Sequence, residues 1–314
     1  PKSGDAAALI DRIMQDGIGL VLVSATAETL LALSDAARGK PVLIFNLDAQ
    51  ETSLRQEDCR ANILHITPSR AMLTDALAQF LVLKKWTRWF LISGVNPNDK
   101  AYTDSIRNSA KKFGARIVEE KLYAEASTTT RTDTGYAQVQ KQLAAFTQIS
   151  AEYDVIIVAD ESEIFGPYVP YRSWSPRPVA GTSGAVAMSW HPAHEQWGAT
   201  QMQNRFFELA GRVMGPLDFH GWLAARAIGE AATRSNSGEF AAIRDYLLGP
   251  DFGVAAFKGQ KVSIRSWNHQ MRQPIAIATT EIPVSWSPQP GFLHQRAEVD
   301  TLGIDEPESK CELH

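Results

Sequence analysis

At 314 residues, 44% apolar and 21% charged, the chain is long enough for two α/β lobes of ordinary size with full cores. A net charge of −4 and a pI near 6.0 provide no basic field, which argues against nucleic acid as the main partner. No run approaches the roughly 18 apolar residues that a membrane span requires, and no signal peptide is visible, so a mature or trimmed chain is expected.

Leu9, Ile10, Ile13 and Met14 stand at helical spacing, and Gly17 ends that helix. Leu20-Val-Leu-Val23 follows and runs into Ser24 as a strand. A short helix over 27–37 leads through Gly39 and Pro41 to Val42-Leu-Ile-Phe45, which ends at Asn46. Ile63-Leu-His-Ile66 is a third apolar segment. Ser69 then caps a strongly amphipathic helix with Leu73, Leu77, Phe80 and Leu81 on one face. Residues 86–89 read as a crossing point, because a new βα unit starts at Trp89-Phe-Leu-Ile92 and Ser93. Its helix over 100–113 stops at Gly114, and a strand over 116–123 follows.

Residues 125–135 are polar and turn-rich and read as a surface loop. A helix over 136–149 feeds Val155-Ile-Ile-Val158, which ends at Asp160 and Glu161. A segment dense in proline and aromatics spans 165–178, and two long helices cover 197–214 and 217–234. Shorter strands over 257–264, 273–279 and 282–286 close the chain. No internal repeat is evident.

Four of these runs are continuous and apolar, as in parallel strands buried on both faces. Ligands of open α/β sheets sit beyond the carboxyl ends of such strands, so the polar residues after them mark a binding cleft. Cys59 and Cys311 have neither metal-ligand nor CxxC spacing. Two unrelated thiols, or one disulfide pinning the tail to the first lobe, both fit that count. A bond closing roughly 250 residues would contribute about 5 kcal/mol through the unfolded state.

The layout resembles the type I periplasmic solute-binding proteins, in the branch of the branched-chain amino-acid receptors. The carrying segments are Val-Ala-Gly-Thr-Ser-Gly at 179–184, Arg-Ala-Ile-Gly-Glu-Ala at 226–231, Phe-Lys-Gly-Gln at 257–260, Trp-Asn-His-Gln at 267–270 and Pro-Ile-Ala-Ile at 274–277. A narrower resemblance covers essentially the whole chain. Residues 56–65, 68–72, 194–201, 291–296 and 305–311 are similar to signatures of the ABC-transporter binding proteins associated with PQQ-dependent alcohol dehydrogenase systems.

The resemblance implies an α/β protein of two Rossmann-like lobes with several crossovers, located in the periplasm. Lobe 1 is expected at 1–86 and 190–250, lobe 2 at 87–189 and 251–290, with a tail over 291–314 returning to lobe 1. It also implies a Cys59–Cys311 disulfide. Such receptors begin with a strand and helix before the unit at 10–24; that N-terminal βα unit is missing here and is expected upstream of this numbering. The implied partners are a small-molecule or ion ligand held in the inter-lobe cleft, the membrane subunits of an ABC transporter, and a PQQ-dependent dehydrogenase. A second reading is a periplasmic accessory protein that serves the dehydrogenase by binding PQQ or a metal ion, lanthanide or calcium.

The cleft loops matching the family's ligand loops hold Ser24, Thr26, Asn46, Asp48, Thr67, Ser69 and Arg70 in lobe 1. In lobe 2 they hold Ser93, Asn96, Asp99, Tyr102, Asp160, Glu161, Thr182 and Ser183. Asp48 would repel a carboxylate, which argues against an ordinary amino acid as ligand. Replacing Asp48 or Asp160 is expected to weaken ligand binding and leave the apo protein's stability unchanged. Many of these residues also suit simple caps and turns.

Asp160, Glu161 and Glu163 form a carboxylate cluster that a hard cation would fit, or simply a solvated acidic loop. Tyr168, Tyr171 and Trp174 offer flat surfaces for a lid, and Arg70, Arg172 and Arg177 suit the carboxylates of PQQ; hinge packing is the plainer reading. His191, His194 and Glu195 depart from the HExxH helix, since Pro192 interrupts it, and read as capping or packing beside Trp190 and Trp197. No phosphate loop, nucleophile elbow or catalytic triad stands out, so neither an enzyme nor a required cofactor is expected.

Overall fold

The computed structural model describes residues 3–124 and 133–313. The chain divides into two compact units: Pro1–Ser69, Ser189–Pro274 and Val299–His314 form the first, and Arg70–Met188 with Ile275–Glu298 form the second.

In the first unit, α1 (Ser3–Gln15), β1 (Leu20–Val23), α2 (Ala27–Ala36), β2 (Leu43–Asn46) and β3 (Ile63–His65) build a parallel sheet of order β1-β2-β3. The pleat of β2 sorts its neighbours. Leu43 and Phe45 face a core with Trp190, Phe219 and Leu223, while Ile44 meets Ile10 of α1 and Leu30 and Leu33 of α2. The expectation of strands buried on both faces holds for β2 and not for β1. As the sheet edge, β1 leaves Leu22 40% exposed.

The second unit holds α3 (Arg70–Leu83), β4 (Arg88–Ser93), α4 (Pro97–Phe113), β5 (Arg116–Leu122), α5 (Asp133–Phe146), β6 (Val155–Ala159), α6 (Val169–Arg172), β7 (Val179–Gly181) and β8 (Ala185–Met188). The expected loop over 125–135 lies outside the described residues at 125–132. β4 and β6 are buried along almost their whole length and pair in parallel. Phe90, Ile92, Ile156 and Val158 form one core with Val139 and Leu143 of α5.

The turn joining β7 to β8 requires glycine. Gly184 has φ +76, and a Cβ there would lie 2.1 Å from the Val179 carbonyl oxygen.

Back in the first unit, α7 (Ala199–Ala210), α8 (Pro216–Ser235) and α9 (Phe240–Leu248) precede a small antiparallel sheet of β9 (Val254–Ala255), β10 (Lys261–Ile264) and β11 (Met271–Arg272). β12 (Ile275–Ala278) and β13 (Pro283–Ser287) then extend the second sheet to the order β13-β12-β8-β7-β6-β4-β5. Sequence reading did not anticipate α9, whose nine residues bury only Ile243 and Leu247, one turn apart.

Three boundaries fall elsewhere than expected, the return of the tail to the first unit coming at 299 and not at 291. The chain passes to the second unit before α3, not at 86, because α3 packs on α4, β8, β12 and β13. Residues 251–274 belong to the first unit, because Val254, Val262 and Met271 join the core of Phe45 and Phe219.

Nor is α3 amphipathic: it is buried almost all round, Thr74, Asp75 and Gln79 included. Those polar side chains have partners. Ser109 donates to Asp75 Oδ1 (2.5 Å) with its Oγ 2.9 Å from Thr74 Oγ1, Lys112 pairs with Asp75 Oδ2 at 2.8 Å, and Gln79 Oε1 accepts from Gln289 N at 3.0 Å.

Candidate functional site

At the carboxyl edge of the first sheet, the expected ligand residues divide by what already holds them. Asn46 is 1% exposed and its amide is spent on its own loop: Nδ2 donates to Ala49 O (2.8 Å) and lies 3.0 Å from His65 Nδ1, while Oδ1 accepts from Asp48 N and Ala49 N. Thr26 caps α2, accepting from Thr29 N at 3.4 Å. Ser24 donates to the exposed Asp48 Oδ2 at 3.1 Å, so this pair faces solvent. Thr67 and Ser69 are buried, and the Thr67 hydroxyl has no hydrogen-bond partner among the described residues.

Under this edge lies a buried polar network that sequence reading missed. Arg55, 1% exposed, donates to Gln270 Oε1, Ala49 O, Glu51 O and Thr67 O at 2.8–3.0 Å. Gln270 returns Nε2 to Thr67 O at 3.0 Å, and Gln273 Nε2 donates to Ile66 O at 2.7 Å. His220 donates Nδ1–H to Leu47 O at 2.7 Å. Lys258 is fully buried and donates to Ser189 O and, at 2.9 Å, to Pro274 O, with its ammonium 4.9 Å from the Phe219 ring centre. Apart from the Arg55–Gln270 bond, these donors satisfy backbone carbonyls of loops and strand ends, which buried backbone requires. Segments 56–65 and 267–270 had marked the resemblance without revealing this role.

In the second unit, Asp99 is 0% exposed and organises two loops. Its Oδ2 accepts from Asn96 N (3.1 Å) at the start of α4, and its Oδ1 accepts from Ser162 N (3.1 Å) and Ser162 Oγ (3.0 Å). Asp160 is likewise occupied: Oδ2 accepts from Phe165 N at 2.8 Å and Gly166 N at 2.6 Å. Thr182 Oγ1 accepts from Asp160 N at 3.0 Å and donates to Val158 O at 3.3 Å. Gly166 permits this packing, since a Cβ there would lie 2.9 Å from Ser183 Oγ. Burial pushes the Asp160 carboxyl up, against the pull of the amides it accepts from.

Asp160 is therefore a structural clasp, which argues against the expectation that its replacement leaves the apo protein unchanged. Asp160→Ala would orphan two buried amides and is expected to lower stability by roughly 3 kcal/mol, whereas the exposed Asp48→Ala should stay within about 0.5 kcal/mol. Urea denaturation of the two variants checks this; equal midpoints would refute it.

Arg70, Glu161 and Tyr102 come together. The Arg70 guanidinium meets Glu161 as a two-pronged fork, Nε to Oε1 at 2.8 Å and Nη2 to Oε2 at 2.8 Å. Tyr102 is 6% exposed, and its phenol is pushed up first by burial and then by the Glu161 charge, while Arg70 opposes the shift. Ser93 has a different setting. It lines a cavity of about 380 Å³ with Lys100, Thr103, Arg107, Glu120 and Leu122.

The expected cation site at Asp160, Glu161 and Glu163 is not formed. One carboxylate holds backbone amides, the second sits on Arg70, and among the described residues no group of three or more His, Cys, Asp or Glu is placed to hold a metal ion. Of the three arginines of the PQQ reading, Arg172 reaches Gln140 Oε1 at 3.0 Å and Arg70 is held by Glu161. In the proline-aromatic segment, Phe165 and Val169 are core residues, whereas Tyr171 is 83% and Trp174 60% exposed. His191 Nδ1 accepts from Ala193 N at 3.0 Å and His194 Nε2–H donates to Phe257 O at 2.9 Å, both packing roles beside Trp190 and Trp197. Cys59 and Cys311 form the disulfide.

A family model described as a periplasmic binding protein matches residues 2–145. No curated protein is similar to the chain. Among solved structures, a branched-chain amino-acid ABC transporter periplasmic ligand-binding protein from Burkholderia xenovorans is 14% identical with a TM-score of 0.77, over 99% of this chain and 86% of that one. The leucine-, isoleucine-, valine-, threonine- and alanine-binding protein from Brucella ovis, in its closed conformation, is 15% identical with a TM-score of 0.74, over 99% and 85%. A solute-binding protein of an ABC transporter from R. palustris, in complex with benzoate, is 10% identical with a TM-score of 0.67, over 99% and 86%. At these identities the likeness is one of fold.

Proposed function

We propose that this chain, which has the fold of the type I periplasmic binding proteins, is the periplasmic solute-binding component of an ABC transporter. The observation that carries this reading is the chemistry of the strand ends. In each unit the parallel strands deliver hydroxyls and charged groups to their carboxyl edge, where open α/β sheets bind ligands. The proposed contacts are Ser24, Asp48, Thr67 and Ser69 in the first unit, and Arg70, Tyr102, Glu161 and Ser183 in the second. Asn46, Asp160 and Thr182 shape those edges through their own hydrogen bonds. The histidines at 191 and 194 serve backbone groups, and binding needs neither a catalytic step nor a cofactor.

The similar structures include a leucine-, isoleucine-, valine-, threonine- and alanine-binding protein and a complex with benzoate. By that likeness the ligand here is a small organic molecule of the same general size. The narrower placement, beside a PQQ-dependent alcohol dehydrogenase, rests on the resemblance of residues 56–65, 194–201 and 305–311 to that subfamily. Native mass spectrometry of the protein released gently from its own periplasm tests the function. An added small-molecule mass is the expected result. A bare mass together with a copurifying dehydrogenase would overturn solute delivery in favour of an accessory role.

A further inference from the structure

Within the second unit, Arg70 and Glu161 differ in how firmly they are held. Arg70 opens a helix buried nearly all round, and its side chain is 8% exposed. Glu161 lies between two pinned neighbours, Asp160 on the amides of Phe165 and Gly166 and Ser162 on Asp99. The backbone of that loop is thus fixed. The Glu161 side chain is 21% exposed, and among the described residues its hydrogen bonds run only to Arg70. A carboxylate on a flexible stem is held out to a stationary guanidinium.

The third member of the group points to an incoming ligand. Tyr102 is 6% exposed, senses both charges, and its hydroxyl has no hydrogen-bond partner among the described residues. A phenol so placed can donate to an oxyanion bound at Arg70. In this structure it makes no hydrogen bond to Glu161, whose two oxygens each accept from Arg70.

We propose that Glu161 is a tethered stand-in for the solute, occupying the Arg70 fork until a free carboxylate displaces it and takes the Tyr102 hydroxyl as an additional donor. The inference rests on the solute-binding reading and deepens it by naming the ligand class, an organic carboxylate. The exchange conserves charge at Arg70, because one carboxylate replaces another and Glu161 regains its hydration. Arginine suits this role better than lysine, since its planar fork matches a carboxylate in two parallel bonds. The tether also sets a threshold. A group on a short flexible arm competes at an effective concentration in the millimolar range, so only a carboxylate with further contacts displaces it.

Benzoate is the probe, with benzamide as its neutral counterpart and benzylamine as its cationic one, titrated calorimetrically into the full chain. Glu161→Gln keeps the shape and removes the competing charge. It is expected to bind benzoate about tenfold to a hundredfold more tightly than the unmodified chain, the factor that losing a charge-assisted pair implies. Benzamide should show no such gain. Arg70→Lys, which keeps the charge and loses the fork, should erase the gain when combined with Glu161→Gln.

If benzoate binds both proteins equally, or does not bind Glu161→Gln at all, the stand-in role is overturned. Benzylamine binding that Glu161→Gln abolishes would also overturn it, since Glu161 would then be the ligand contact. A copurified solute found by mass spectrometry alongside any of these results leaves solute binding itself intact. A bare mass and a dehydrogenase partner would instead end the parent reading.

Discussion

Below about pH 6.5 the protein is expected to lose stability progressively, and the first unit is the reason. His65, His194, His220 and His269 all lie there, and burial holds each imidazole below its ordinary range. For His65 and His220 the nearby Arg55 charge adds to the effect, and for His194 and His220 the Lys258 charge does so. His220 is the clearest, pushed down to about 4. Its Nδ1–H is committed to Leu47 O at 2.7 Å, and its other nitrogen is buried with no hydrogen-bond partner among the described residues, so a second proton would arrive among cations with no acceptor among them.

The unfolded chain takes up protons on these imidazoles near pH 6.5 while the folded chain does not. The stability they contribute is therefore complete above that pH and is lost as pH falls towards the folded values. At about 1.4 kcal/mol per unit of pKa, His220 alone accounts for roughly 3 kcal/mol by pH 4. Asp35, Asp154, Asp218 and Glu230, held low mainly by arginine partners, act only below about pH 4.5. The two effects therefore separate on the pH axis. Urea unfolding at a series of pH values is the measurement, with His220→Gln expected to flatten the slope between 6.5 and 4. A slope unchanged in that variant would remove His220 from the account.

Reduction of the Cys59–Cys311 bond is expected to cost about 5 kcal/mol, the entropy returned to the unfolded chain when a closed loop of this length opens. The two cysteines are 252 residues apart, so the loop takes in most of the chain. The folded tail should stay in place without the bond. Lys310 N donates to Gln56 Oε1 at 2.6 Å. Arg265, 1% exposed, pairs with Asp300 at 2.8 Å and donates to the carbonyls of Val299 and Leu302. The double variant Cys59→Ser, Cys311→Ser should thus keep its circular dichroism spectrum and its ligand affinity while its urea midpoint drops sharply. An unchanged midpoint would mean that the unfolded state is already compact; a lost spectrum would mean that the bond holds the native tail itself.

Local pattern made much of the fold legible. The apolar runs at 42–45, 89–92 and 155–158 are strands, and the polar residues after them lie at strand ends, because burial on both faces of a parallel sheet demands an uninterrupted apolar run. The same reasoning misjudged α3, where Thr74, Asp75 and Gln79 look like a solvent face and are buried against partners from α4 and Gln289. It also missed Arg55, His220 and Lys258, whose acceptors are carbonyls that carry no signature of their own.

Periodicity within a few residues thus reveals the long apolar strands, most of the helices and the composition of the strand-end edges, but not the short strands β8, β9 and β11. Only the tertiary structure decided which polar residues at those edges remain available. Asp99 meets Ser162 across 63 positions, Arg70 meets Glu161 across 91, and Gln270 meets Thr67 across 203. A carboxylate is a ligand group or a clasp according to the donors that surround it, and those donors are assembled by packing between segments that local pattern cannot pair.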